Sequence, residues 1–233
     1  MRRVAAYFAT RNYYRMMAAS AKSLLNHTRM DRVWFLIEDD DFPEDLPDVI
    51  RCKNVSGQTW FTPGGPNYKA HWTYTCLLPL AFPEIFPEEN RILRLDDDVI
   101  IEKDIGTLLD MDMKGNVLAM VEEPVRSKFP FRYFNAGVAL MDLQQLRASG
   151  RYRKMIDLAN REQLTAMDQD ALNVFCQGEI LKLDPRWNDA GHITERTTDP
   201  YITHYAGCRK PLGEKRFVEL EKAEWRVKNA DDA

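Results

Sequence analysis

Two short apolar runs bracket one helical stretch at the amino-terminal end, and that order leaves few folds open. "VAAYFAT" (4–10) and "RVWFLIE" (32–38) are compact and rich in β-branched and aromatic residues. Between them, from about Tyr14 to Asn26, Met16, Met17, Ser20, Leu24 and Leu25 fall roughly on one helical face. "DVIRCKNV" supplies a third strand. A β-α-β beginning predicts an α/β fold with a Rossmann-like, mostly parallel central sheet wrapped by helices.

The rest of the chain continues the pattern. "SGQTWFTPGGPN" (56–67) is loop by composition. A helix is expected over Thr73–Phe82, stopping near Pro83 and Pro87. "RILRL" (91–95), "NVLAMVE" (116–122) and "FNAGVALMDL" (134–143) read as strands, 152–160 and 168–177 as helices, and "YITHYA" (201–206) as a last short strand. With 233 residues and no repeat or linker, a single domain is expected.

Composition narrows the function. A net charge of −4 argues against a broad nucleic-acid surface. The start "MRRVAAYFAT" resembles a signal peptide only in part: its apolar run is short and no small-residue cleavage site follows, so it reads as a strand. No window approaches a membrane span. Cys52, Cys76, Cys176 and Cys208 are scattered and form no CxxC pair, which suits buried thiols in a reducing cytoplasm better than a disulfide frame or a zinc site. The closing stretch "RFVELEKAEWRVKNADDA" mixes both signs and ends acidic, so membrane contact is expected to be peripheral at most.

One feature is costly. "RILRLDDDVII" (91–101) sets three carboxylates between two apolar runs, and such crowding calls for a cation. In an extended segment Asp96 and Asp98 share a face while Asp97 points away. Two carboxylates so placed make a hard oxygen site for Mg²⁺ or Mn²⁺. A second acidic string, "IEDDDFPEDLP" (37–47), runs into Pro-containing sequence and reads as a solvated turn.

Four blocks occur in a recognisable order: "FATRNYY", "LRLDDDVII", "YFNAGVALMDL", and "DQDALN" followed by "HYAGCRKP". In these blocks the chain resembles the retaining glycosyltransferases of family 8, which include glycogenin and bacterial lipopolysaccharide galactosyl- and glucosyltransferases. The resemblance implies a GT-A fold, a nucleotide-sugar donor, usually a UDP-hexose such as UDP-glucose or UDP-galactose, and a divalent cation, typically Mn²⁺. It implies transfer to a glycan or other hydroxyl acceptor with an α-linkage. It assigns Asp96, Asp98 and His204 to the metal. Ala9, Thr10, Asn12 and Tyr13 fall to the nucleoside, and Asn135, Ala136 and Gly137 to the donor sugar. Asp97, Gly207 and Lys210 join the donor contacts, with Lys210 on the diphosphate. Asp168 and Gln169 fall beside the anomeric carbon. Residues 1–100 would then form a nucleotide-binding half, 101–215 a donor-sugar and acceptor half, and 216–233 a tail.

Each block also has a plainer reading. Asp168 is a good helix N-cap, Gly137 permits close backbone approach, and the turn after the first strand needs no ligand. His204 gains its role only from its neighbours; His27, His71 and His192 lack such context and are expected to be structural. Because Gln169 is an amide, front-face attack is expected over a covalent intermediate. Thr10, Cys76 and Leu212 depart from the family pattern, at positions where aspartate, arginine and tryptophan are common. The departures leave the nucleotide and sugar open, and leave an inactive nucleotide-sugar-binding protein as the alternative. A nucleotidyltransferase ranks lower, since "FATRNYY" has no glycine for a phosphate loop. Trp60, Phe61 and Trp187 are candidate stacking platforms for an acceptor or else packing residues, and 56–69 and 123–133 are candidate mobile covers.

Overall fold

The computed structural model describes residues 2–69, 72–124, 130–191, 193–207 and 214–229. Strand β1 (Val4–Phe8) leads through a 3-10 turn into α1 (Tyr14–His27), then β2 (Arg32–Ile37) and β3 (Ile50–Asn54). After the long loop come α2 (Leu78–Ile85), β4 (Arg91–Leu95), β5 (Val99–Ile101), α3 (Gly106–Leu109), β6 (Leu118–Glu122) and β7 (Phe134–Asp142). Helices α4 (Leu143–Ser149), α5 (Arg151–Arg161) and α6 (Asp168–Phe175) follow, then β8 (Ile180–Leu183), β9 (Ile202–His204) and α7 (Lys215–Lys222).

Seven strands form the central sheet in the order β3-β2-β1-β4-β7-β6-β8. All neighbours are parallel except β4–β7 and β6–β7, so β7 alone runs against the rest. The sheet is covered on both faces, as a mostly parallel sheet requires. Along β1, Val4, Ala6 and Phe8 face α2, α4, α5 and α6, whereas Ala5 and Tyr7 face α1 and α3. Each fully buried Leu, Ile or Phe in these layers contributes about 1.5–3 kcal/mol.

The expected α2 differs at both ends. A 3-10 turn, Tyr74–Leu77, precedes it, and the helix passes through Pro83 to end at Ile85. Pro83 removes one helical hydrogen bond, but all of α2 except Glu84 is buried, and that burial holds the helix together. Helices α3, α4 and α7 and strands β5 and β8 had no counterpart among the expected elements. The "FTPGG" loop is fastened rather than loose: Asn67 Nδ2 donates to the Ala159 and Glu162 carbonyls, at 2.6 and 2.7 Å. Thr62 N donates to Asn160 Oδ1 at 2.8 Å.

The carboxyl-terminal part packs back on α1. Phe217 is buried against Met16, Ala19 and Ile100. The buried Lys22 ammonium lies 2.9 Å from Glu44 and 4.9 Å from the centre of the Trp225 ring. The acidic stretch 37–47 is therefore a latch as well as a turn: Asp39 pairs with Arg11 at 2.9 Å and accepts from the Tyr14 hydroxyl at 3.1 Å.

Candidate active site

The parallel strands β1 and β4 are neighbours, so their carboxyl ends open on one side of the sheet, the usual place for ligands in open α/β sheets. Residues 96–98 make a tight turn between β4 and β5 rather than an extended run, which corrects the expected strand alternation. Asp96 N donates to the Gly137 carbonyl at 2.9 Å, tying the turn to β7. Strand β5 then pairs antiparallel with β9, placing Val99 opposite His204, and Tyr205 N donates to the Asp98 carbonyl at 3.0 Å. That small sheet carries His204 to the acidic turn.

The three groups converge. One ligand atom from each of Asp96, Asp98 and His204 lies within 4.8 Å of the others. His204 Nε2 is 3.4 Å from Asp96 Oδ2 and 3.3 Å from Asp98 Oδ1. Burial works against a charged imidazole, but the hydrogen bonds and charges of Asp96 and Asp98 outweigh it and raise the His204 pKa to about 9. Two carboxylate oxygens and an imidazole nitrogen form a mixed set that suits a divalent ion such as Mn²⁺. Bound there, an ion would take the place of the Nε2 proton.

A buried relay fixes the imidazole. Asn188 Nδ2 donates to Asn135 Oδ1 at 2.8 Å, so Asn188 Oδ1 is the acceptor for His204 Nδ1–H, also at 2.8 Å. Nε2 is thereby the nitrogen aimed at the carboxylates, as in many metal-bound histidines. Asn135 Oδ1 also accepts from Gly137 N at 2.9 Å, and Asn135 Nδ2 donates to the buried Glu123 at 3.0 Å. Gly137 has a concrete reason to be glycine. A Cβ there would lie 2.1 Å from His204 Cε1 and 2.6 Å from Nδ1.

Asp168 and Gln169 open α6 beside this centre. The residue before them, Met167, is buried with φ of 51°, a strained backbone for a side chain of that size. Asp168 is the first helical residue rather than the cap. The strained turn is held from within: Asp170 Oδ2 accepts from Thr165 N and Ala166 N at 2.8 and 2.9 Å, and the Tyr133 hydroxyl donates to Asp170 Oδ1. Gln169 Oε1 accepts from Ala136 N at 2.9 Å, and its amide donates to Glu123 at 3.1 Å. Burial raises the Asp168 pKa to about 6 and Asp96 adds to the rise, against the opposing pull of Arg94.

The remaining expected residues have these places. Ala9 is buried at the end of β1, Thr10 opens the following turn, Asn12 is exposed and Tyr13 half-buried. Asp97 is buried within the acidic turn. Gly207, at φ of 124°, has a backbone that side chains rarely adopt. Lys210, Leu212, His71 and His192 lie outside the described residues. Phe61 is core, Trp60 donates to Glu84, and Trp187 stacks on Tyr201 with centroids 4.2 Å apart, which accounts for all three aromatic side chains through packing.

Three residues at the site were not singled out in the sequence: Arg94, Glu123 and Asn188. Arg94 carries a signal, a cation at a core-facing position of an apolar strand. Nothing local marks Glu123 or Asn188, whose roles arise only from contacts distant in sequence.

Similarity to known proteins agrees with this geometry. The sequence profile described as "Glycosyl transferase family 8" matches residues 4–214. Glycosyltransferase GlyF of Streptococcus pneumoniae serotype 4 is 26% identical, over 99% of this chain and 62% of its own length. The lipopolysaccharide 1,2-glucosyltransferase of Escherichia coli K12 is 29% identical, over 62% of this chain and 53% of its own. The chain thus spans less than two thirds of the length of these relatives. Among solved structures, the galactosyltransferase LgtC superposes with a TM-score of 0.72 at 21% identity, covering 94% of this chain and 95% of that one. The architecture is the GT-A fold. Among the described residues no helix is long and apolar enough to cross a membrane. From the profile match over residues 4–214, with its acidic turn and distant histidine brought together, the chain belongs to glycosyl transferase family 8.

Proposed function

We propose that the protein is a retaining, metal-dependent hexosyltransferase that moves a sugar from a nucleotide donor, UDP-glucose or UDP-galactose in the first instance, to a hydroxyl acceptor with an α-linkage. The observation that carries the reading is the convergence of Asp96, Asp98 and His204 within 4.8 Å, at the end of the sheet where Asp168 and Gln169 also lie. These three residues hold the ion, Mn²⁺ by preference. When bound, such an ion supplies Lewis-acid stabilisation of the charge that grows on a departing diphosphate.

The chain's own residues do the rest. Ala9, Thr10, Asn12 and Tyr13 receive the nucleoside, with Tyr13 against the base. Lys210 meets the diphosphate, Asp97 and Gly207 are further donor contacts, and Asn135, Ala136 and Gly137 border the sugar. As the bond from the anomeric carbon to the phosphate oxygen breaks, its electron pair stays on the phosphate. The acceptor oxygen bonds the same face of the sugar and its proton passes to that phosphate oxygen. Asp168 and the carbonyl of Gln169 stabilise the electron-poor sugar. Within one domain, residues 1–100 serve the nucleotide and 101–215 the sugar and acceptor, and 216–233 are a carboxyl-terminal tail. The scattered cysteines support a cytoplasmic location, although among the described residues only Cys176 is buried as expected, while Cys76 is half-buried and Cys52 exposed on β3 at the sheet edge.

The test is a panel of nucleotide sugars with Mn²⁺, scored by thermal shift and by release of free nucleotide, with Asp98→Ala as control. Turnover that Asp98→Ala abolishes, with an α-linked product by NMR, is expected. Donor binding without turnover would instead indicate an inactive nucleotide-sugar-binding protein. A covalent glycosyl-enzyme in a donor-only mass spectrum would refute front-face attack.

A further inference from the structure

Arg94 projects from β4 into the layer between the sheet and α2, α5 and α6, and its side chain is only 4% exposed. A guanidinium there is costly unless its donors are placed. Nη1 lies 3.0 Å from Asp96 Oδ1 and also donates to the Ala136 carbonyl, and Nη2 donates to Asp168 Oδ2 at 3.0 Å. The Phe8 ring covers it, 5.0 Å from its centre. Cys76, at a position where many family members have an arginine, packs half-buried against the same apolar layer.

These contacts divide Asp96 in two. Oδ1 faces Arg94, and Oδ2 faces His204 at 3.4 Å, on the side of the proposed ion. The same planar fork holds Asp168. We propose that Arg94 is the positioning residue that couples the cation site to the reaction site: one guanidinium fixes Asp96 as a one-oxygen ligand and sets the Asp168 carboxylate at a defined place beside it. This rests on the functional reading above.

Two consequences run in opposite directions. A fixed positive charge beside Asp96 repels a divalent ion, so removing it tightens ion binding. The same removal releases Asp168 and slows the reaction. A damaged site would lose both together. Lysine keeps the charge but offers a single point donor, so it cannot reproduce the fork.

The experiment measures Mn²⁺ affinity of the nucleotide-free protein by electron paramagnetic resonance, and kcat and KM for donor hydrolysis, in the wild type, Arg94→Lys, Arg94→Met and Arg94→Met/Cys76→Arg. The expected result for Arg94→Met is Mn²⁺ binding tighter by about tenfold with kcat lower by roughly a hundredfold. Arg94→Lys should keep its Mn²⁺ affinity within about threefold yet lose most of kcat at little changed KM. Returning an arginine at position 76 should recover part of kcat. Arg94→Lys that turns over like the wild type, or Mn²⁺ affinity and kcat that fall together in Arg94→Lys, would overturn the proposal. Should Arg94→Met not fold, Arg94→Lys and the double variant decide the matter. A wild type that turns over no donor would refute the functional reading, and the Mn²⁺ affinities would then judge Arg94 alone: unchanged or weaker binding in folded Arg94→Met, or loss in Arg94→Lys, would reject the coupling.

Discussion

Adding one methyl group at Gly137 should disable the proposed metal site. A Cβ on Gly137 would fall 2.1, 2.6 and 2.9 Å from three atoms of the His204 ring. A Cβ essentially never comes this close to a non-bonded atom, so the ring or the backbone must move. The backbone on both sides is held. Gly137 O accepts from Asp96 N, and Gly137 N donates to Asn135 Oδ1. His204 N donates to the Asp189 carbonyl while β9 pairs with β5. The ring therefore yields, breaking its 2.8 Å hydrogen bond with Asn188 and leaving the two carboxylates. Overpacking of this kind costs about 1–3 kcal/mol. In a chain of this size about 2 kcal/mol lowers Tm by roughly 4–8 °C. Mn²⁺ affinity should fall by roughly a hundredfold, since Nε2 no longer faces the site. Calorimetry of Mn²⁺ binding and thermal unfolding of Gly137→Ala would show both effects. Gly57→Ala, which would meet nothing within 4 Å, is the control. Should Gly137→Ala keep its Mn²⁺ affinity and melt within about 1 °C of the wild type, the assignment of His204 to this pocket is wrong.

Other outcomes follow from the same contacts. Asn188→Ala should weaken Mn²⁺ binding by about 10- to 100-fold while the fold persists, because the imidazole loses the partner that sets its orientation; titration calorimetry against unfolding curves would show the split. The docking of α7 should loosen in acid. Burial pushes the Glu102 carboxyl up, but hydrogen bonds from Arg216 and Thr203, each at 2.6 Å, prevail and hold its pKa below the ordinary 4.5. A carboxyl depressed on folding stabilises the fold above its unfolded value, and that contribution is lost as pH falls through the folded one. The protection of α7 amides, corrected for intrinsic exchange, should therefore fall as pH drops below the ordinary 4.5, and Glu102→Gln should remove that step.

Local chemistry made much of this protein readable in one dimension. The apolar runs of β1 and β2 are compact within a few residues, and such runs are a near-neighbour property. The one apolar face expected of α1 proved too narrow: the helix is buried almost all round, with Met17, Leu24 and Leu25 in the sheet's core and Met16 and Ala19 under Phe217 of α7. Asp96 and Asp98 share one short string, so their pairing was legible too, although a turn rather than strand alternation brings them together. Helix α7 and the latch formed by Lys22, Glu44 and Trp225 escaped notice because mixed charges look solvated until a partner surface covers them. His204 was found only through resemblance, since a lone histidine in an apolar strand says little about itself. What delivered it was the pairing of β5 with β9 and the absence of a side chain at Gly137. The tie from Arg94 to both Asp96 and Asp168 belongs to the same class. Elements form from neighbours along the chain, but a site forms from neighbours across it, and only the packed sheet determines which buried charge meets which.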